Sequence, residues 1–286
     1  MSYYGGYMNI RRARIYAKNI LENSQEITGE VISSSVNSAL GDSTGISGIV
    51  SKSVWGKSIQ TLANKLDPCQ LTEWEKQRVT NCMISAIDKV KERMNNGDKL
   101  REDDFFKENP DGKTDAEEVF ESIVIASQRE SQEMKQIFYG NMLANIGFIS
   151  YLNADEFNFL LKVFEKLTYR QCLLLAIFKS NTLAKINRIN SFLKNSNPIV
   201  GVVDSKDVIL YQEIMDLYQK SLLFNDSNII MNIKDVIPSN LFTYGMGMNI
   251  LELAEIDKIT EKNERLTDKH LKDLKELTKL FIKENN

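Results

Sequence analysis

Three segments carry residue types whose spacing matches known chemistry. Ser51-Lys52-Ser53-Val54-Trp55-Gly56-Lys57-Ser58 ends in the Gly-Lys-Ser of a phosphate-binding loop, in which curled backbone N–H groups and a lysine cradle phosphate. Ser51 stands where that loop needs its first glycine, and the apolar spacing around it is helical, so the segment reads as helix. Val202-Val203-Asp204 imitates the magnesium-binding aspartate that would accompany such a loop, without changing that reading. Lys107 to Glu118 can be laid over a calcium loop, with Asn109, Asp111, Gly112, Asp115 and Glu118 in ligand or turn places, but Lys107 puts an ammonium at the first ligand position. A solvated acidic loop is the simpler reading. His270 is the third feature: histidine is the usual general base and a common metal ligand, and a chain with one of them has few routes to His-dependent hydrolysis or a His-rich metal centre. Placed just after Thr267 on the first turn of a tail helix, it reads as a surface residue. Asp103-Asp104, the most tempting carboxylate pair, reads as solvated charge in the same acidic loop.

Charge is distributed more tellingly than its total. The balance of 36 basic and 39 acidic residues gives a net −3, which is not the footprint of a protein that coats nucleic acid. Locally, Arg170, Lys179, Lys185, Arg188 and Lys194 fall in a stretch from Arg170 to Val203 that holds no acid, the internal segment best suited to a polyanion. Solvated helix faces account for the same residues. Arg11, Arg12, Arg14 and Lys18 form a second basic run, led by Tyr3, Tyr4 and Tyr7, while residues 98–118 hold nine acids against four bases. Cys69, Cys82 and Cys172 are an odd set, with neither a CxxC pair nor a disulfide framework, and point to a reducing cytoplasm. No export signal or bilayer-crossing segment is read, and no cofactor, metal or small-molecule substrate is expected.

The elements that would position these residues are helices. Residues 1–66 are rich in glycine and serine, with half of the 14 glycines in the first 56 residues. Within them Ile46, Ile49, Val50, Val54, Trp55, Ile59 and Leu62 recur at intervals of three and four, predicting one amphipathic helix over Ile46–Leu62. Its apolar side would dock on the core, meet a partner, or lie on a membrane surface. Residues 67–150 form a helical region around the acidic loop 98–118, with capping boxes at Thr72–Glu75 and Thr114–Glu117 opening helices, the first of them Leu71–Asn95, and a further helix over Ser131–Ile146. Asn153–Glu156 and Thr168–Gln171 start helices Asp155–Lys166 and Tyr169–Lys179. Ile199–Val203 and Asn228–Ile233 read as strands, the latter pairing with Leu241–Gly245 in a hairpin. Residues 257–286 close the chain with an amphipathic helix from Thr267 onward.

The fold class is therefore mainly α, a multi-helix protein with a small winged-helix-like β-hairpin in the C-terminal half. Residues 151–256 are similar to a winged helix, but the third helix, Asp207 to Lys220, carries Asp207, Glu213 and Asp216 against Lys220, and acid facing phosphate repels. Packing or protein contact fits that helix better than reading DNA. Glu130 to Ile177, with Ser131-Gln132-Glu133-Met134, Asn141-Met142-Leu143-Ala144-Asn145 and Leu167-Thr168, resembles the bacterial Abi-alpha family of abortive infection. Phe242-Thr243-Tyr244-Gly245-Met246-Gly247-Met248 resembles the segment that closes that family's C-terminal part. The resemblance spans residues 115–250 and implies a helical, non-enzymatic bacterial protein of the phage-defence or stress-response kind, with no catalytic residues to carry over. The expected mode is contact with a protein partner or with itself, in the cytoplasm or at the membrane periphery through residues 1–66. A DNA-associated regulator using 170–194 and an enzyme with an unrecognised carboxylate site are the competing expectations.

Overall fold

The computed structural model describes residues 29–41, 45–66, 70–187, 193, 204–227, 229–258 and 264–281. The basic run at 11–18, Cys69 and the expected strand Ile199–Val203 lie outside them. Among the described residues helix dominates, with one small two-stranded antiparallel sheet, the mainly α class that the sequence predicts. Contacts divide the chain into two units, Met1–Leu161 and Lys162–Asn286.

In the first unit, α1 (Gly29–Leu40), α2 (Gly45–Lys52) and α3 (Val54–Lys65) precede the long α4 (Glu73–Asn95), α5 (Asp115–Arg129) and α6 (Glu133–Asn145). The predicted capping box of α4 is present: the Thr72 hydroxyl accepts from the Glu75 N–H, and the Glu75 carboxylate accepts from the Thr72 N–H at 2.8 Å. Hydrogen bonds from Gln128 and Thr72 hold the Glu75 carboxyl down at about 2. Thr114 caps α5 in the same manner, accepting from the Glu117 N–H at 3.0 Å. At the other end of α1, Lys91 of α4 reaches across to donate to the Ala39 carbonyl, satisfying an oxygen that the helix end leaves without an intrahelical partner. Gly140 lets α6 lie close along α4, since a Cβ there would sit 2.7 Å from the Ser85 Cβ and 3.1 Å from the Cys82 carbonyl. The core collects Ile32 and Val36, Trp55 and Ile59, Val79, Met83 and Ile87, Phe120 and Ile123, and Met142 and Leu143.

The single helix expected over Ile46–Leu62 is two. Helix α2 stops at Lys52, and Ser53 takes an extended conformation, its hydroxyl donating to the Val50 carbonyl at 2.6 Å and accepting the Gly56 N–H at 3.1 Å. Ser53 is thus the N-cap of α3. The chain folds back so tightly that a Cβ on Gly56 would overlap the Val50 carbonyl. Gly56→Ala should destabilise the unit by about 1–3 kcal/mol through overpacking, read as a lowered midpoint in urea; an unchanged midpoint would contradict the observed turn.

The boundary between the units falls within α7 (Ala154–Glu165). The second unit holds α8 (Tyr169–Ile186), α9 (Ser205–Gln219), β1 (Leu223–Asn225), β2 (Leu241–Thr243), α10 (Met246–Ala254) and α11 (Glu264–Lys279). Helix α8 runs past the expected end at Lys179 without a second start. The strand expected at Asn228–Ile233 does not form: Leu223–Asn225 takes its place beside β2, with Phe224 opposite Phe242. Around Asn232 local polar bonds win over β propensity. Its side chain accepts the Lys234 N–H at 2.9 Å, and Asp235 accepts the N–H groups of Met231 and Asn232 at 3.0 Å, closing a 3-10 turn over Ile233–Asp235. The surface position read for His270 is also corrected: α11 begins at Glu264, and its second turn carries His270 inward, leaving it 7% exposed.

Candidate functional site

The two-stranded ribbon has opposite faces of unequal character. Leu223, Leu241 and Thr243 point inward and are buried. Phe224, Phe242 and Tyr244 alternate with them and share the outer face, where Phe224 is 52% and Tyr244 67% exposed, their rings 6.0 Å apart. An antiparallel ribbon packed on one side ordinarily turns polar side chains to water on the other. Two exposed aromatic rings there, with Phe242 half-buried between them, are a feature that packing of the ribbon does not require.

Helix α8 fixes the ribbon with buried polar side chains. Asn181 donates to the Pro238 carbonyl at 3.0 Å and the Leu241 carbonyl at 2.7 Å, Thr182 donates to the Thr243 carbonyl at 3.0 Å, and the Thr243 hydroxyl donates to the Leu175 carbonyl at 2.7 Å. These bonds satisfy strand groups that a lone ribbon leaves unpaired, and so set its position on the helix. Beyond Tyr244 the chain turns at Gly245, whose φ of +51° favours glycine, and a Cβ on Gly247 would overlap the Leu222 carbonyl. The threonine and glycines of Phe242–Met248 therefore have definite structural work. From Leu222 to Ile250 the chain carries only Asp226, Lys234 and Asp235, so the ribbon has little field of its own.

Two of the five residues of the expected polyanion stretch are engaged in ion pairs. Arg170 lies 2.5 Å from Glu213 of α9, and Lys179 pairs with Asp257. Lys185 falls on the last turn of α8, and Arg188 and Lys194 lie outside the described residues. The acids of α9 that the sequence reads as repelling phosphate are turned onto neighbours: Glu213 to Arg170, and Asp216 to Gln171 at 2.7 Å and to Lys220.

The expected membrane or partner face is mostly interior. Val50, Trp55, Ile59 and Leu62 are buried, Ile46 is half-buried, and only Ile49 and Val54 are exposed. Trp55 donates its indole N–H to the Leu143 carbonyl at 3.2 Å and meets Phe120 at 5.9 Å between ring centroids. No helix among the described residues is long and apolar enough to cross a membrane.

The lookalike motifs resolve into local structure. Lys57 and Ser58 are helical residues of α3, the Ser58 hydroxyl donating to the Val54 carbonyl. In the calcium-like loop Asn109 accepts the N–H groups of Asp111 and Lys113. Asp104 pairs with Lys107 at 2.5 Å, which raises the lysine's proton affinity. Asp103 instead takes both ends of the buried Arg101 guanidinium, and those hydrogen bonds hold its carboxyl below the usual range. Arg101 further donates to the Leu152 carbonyl at 3.0 Å and covers the Phe105 ring, so the pair staples the acidic loop to the end of the bundle. Among the described residues no three His, Cys, Asp or Glu side chains gather where a metal ion would sit.

Sequence reasoning missed the aromatic face because the strand it paired with Leu241–Gly245 was the wrong one; the alternation Leu223, Phe224 beside Phe242, Thr243, Tyr244 was the available signal. It also missed the buried ion pair of Lys135 with Glu130, for which no spacing rule exists. Comparison with protein-family models, with curated proteins and with solved structures returned no match.

Proposed function

We propose that this chain works by contact, not turnover, and that the outer aromatic face of the ribbon is its contact surface. The observation carrying the reading is the exposure of Phe224 and Tyr244 on a ribbon whose opposite face is fully packed. Aromatic residues on a weakly charged surface favour another protein over nucleic acid or anionic lipid, both of which call for a basic field. A second copy of the chain fits best. A symmetric pair brings one patch against itself, and a patch with few charges does so without repulsion. The resemblance of Glu130–Ile177 and Phe242–Met248 to the Abi-alpha family supports a place among bacterial phage-defence or stress-response proteins.

The cellular role is tested by plating phage on a bacterial host that expresses the chain. Reduced plaque formation with the wild type, returning to the vector-only level with Phe224→Ser/Tyr244→Ser at equal protein abundance, is the expected result. Equal plaque formation for wild type, variant and empty vector would overturn the defence role.

A further inference from the structure

Two rings on the ribbon's outer face are too small a surface to hold two copies of the chain together. A stable protein pair covers roughly 800 Å² on each partner, and an aromatic side chain buries roughly 150–250 Å² when wholly covered. Phe224 and Tyr244 are only half to two-thirds exposed, so they supply well under half of that area. The surface that completes the contact must lie next to them in the second unit.

The loop 226–240 joins the two strands, and at its base the Asp226 N–H donates to the Asn240 carbonyl at 3.3 Å. Within it Ile230 is buried, and Ile229 and Met231 on either side are both 75% exposed, more than any other large apolar side chain among the described residues. Residues 227–233 carry no charge, so covering them strands no ion. The segment is also pinned. The Asp235 carboxylate accepts the N–H groups of Met231 and Asn232 at 3.0 Å, and the Asn232 side chain accepts the Lys234 N–H at 2.9 Å. Apolar side chains held out by a loop already ordered lose little freedom when covered, whereas a slack loop would first have to be ordered.

The two ends of the ribbon differ. Phe224 and Phe242 form its middle pair, Tyr244 stands beyond Thr243 at one end, and the loop leaves and returns at the other, next to Asn225 and Leu241. A two-fold axis through the middle pair and across the strands turns one ribbon end for end over the other, which sets the loop of one copy on the Tyr244 end of the second. Methionine is unbranched and its sulfur packs favourably on aromatic rings, so Met231 suits the exposed Tyr244 ring.

We propose that two copies exchange these loops, Ile229 and Met231 of each packing on the aromatic face of the other around Tyr244. This rests on the ribbon being the contact surface for a second copy, and it names the element of that copy which covers it.

Sedimentation velocity of the full-length chain tests both steps. Ile229→Ser/Met231→Ser should weaken the dimer at least roughly a hundredfold, with an unchanged circular dichroism spectrum, since both side chains are exposed. Phe224→Ser/Tyr244→Ser should weaken it likewise. In an equimolar mixture of the two variants, the intact loop of one meets the intact face of the other, so a mixed dimer should form that is tighter than either variant's own and weaker than the wild type's. A loop variant that pairs as tightly as the wild type, or a mixture that recovers nothing, would overturn the exchange and leave the ribbon face as the contact surface. A monomeric wild type would overturn that reading itself, and the exchange with it. If Ile229→Ser/Met231→Ser does not fold, Met231→Gln takes its place under the same criteria.

Discussion

Trp55→Ala should cost the first unit about 3–5 kcal/mol, the range for truncating a large buried aromatic side chain. Trp55 is fully buried, packs against Phe120, donates to the Leu143 carbonyl, and lies so close to Gly147 that a Cβ there would be 2.8 Å from its ring. Truncation leaves a cavity among α3, α5 and α6 and strips the Leu143 carbonyl of that donor, and neither loss is offset by relaxation in a packed bundle. Far-UV circular dichroism in urea reads the effect, since helix content follows the unit directly. The same substitution separates two roles for the Ile46–Leu62 segment. A core tryptophan predicts a large fall in midpoint; a membrane anchor predicts an unchanged midpoint and reduced partitioning onto vesicles.

Glu130→Ala should destabilise the same unit by a similar amount, about 3–5 kcal/mol, because it abandons a buried charge. The Lys135 ammonium lies 2.6 Å from the Glu130 carboxylate, and the lysine side chain is 1% exposed. Glu130 also accepts the Gln132 N–H at 2.8 Å, and its carbonyl accepts from Gln136, whose amide closes onto Ser127 in turn. This network joins the end of α5 to the start of α6 and satisfies backbone groups that the two helix ends leave open. The second substitution Lys135→Met should recover much of the loss, since the uncompensated charge, and not the missing attraction, is the dominant cost. Fluorescence of the buried Trp55 during urea unfolding reads both variants. A cost below about 1 kcal/mol for Glu130→Ala, the level of an exposed pair, would contradict the network.

What could be read from the sequence was what is decided locally. The capping signals at Thr72 and Thr114 need only four consecutive residues: the structure has the full reciprocal box at Thr72 and, at Thr114, the hydroxyl cap on the Glu117 N–H. Of the apolar repeat over Ile46–Leu62, Val50, Trp55, Ile59 and Leu62 are buried, while Ile49 and Val54, which flank the break at Ser53 that the spacing does not announce, are exposed. Asn228–Ile233 failed for the opposite reason: its apolar run looks like a strand in isolation, yet among its described residues only Ile230 is buried, and Asn232 and Asp235 close a turn instead. The site was less legible than the fold. Burial of His270 depends on Tyr169, 101 residues earlier in the chain, and on a backbone carbonyl, neither of which a pattern reveals. Arg170 and Lys179 formed a basic stretch on paper, and tertiary partners in Glu213 and Asp257 engage them. The ribbon's outer face rests on two strands of three residues each, too short for alternation to declare itself.

These outcomes shift attention from charge to the uncharged surface of the second unit. Arg170 and Lys179 are engaged by Glu213 and Asp257, whereas Phe224 and Tyr244 stand exposed on a ribbon fixed by Asn181, Thr182 and Thr243. Sedimentation equilibrium of the purified full-length chain, wild type beside Phe224→Ser/Tyr244→Ser, tests this most directly. The account predicts a concentration-dependent dimer for the wild type and a monomer with an unchanged circular dichroism spectrum for the variant. A wild type that stays monomeric, or a variant that dimerises as the wild type does, would contradict it.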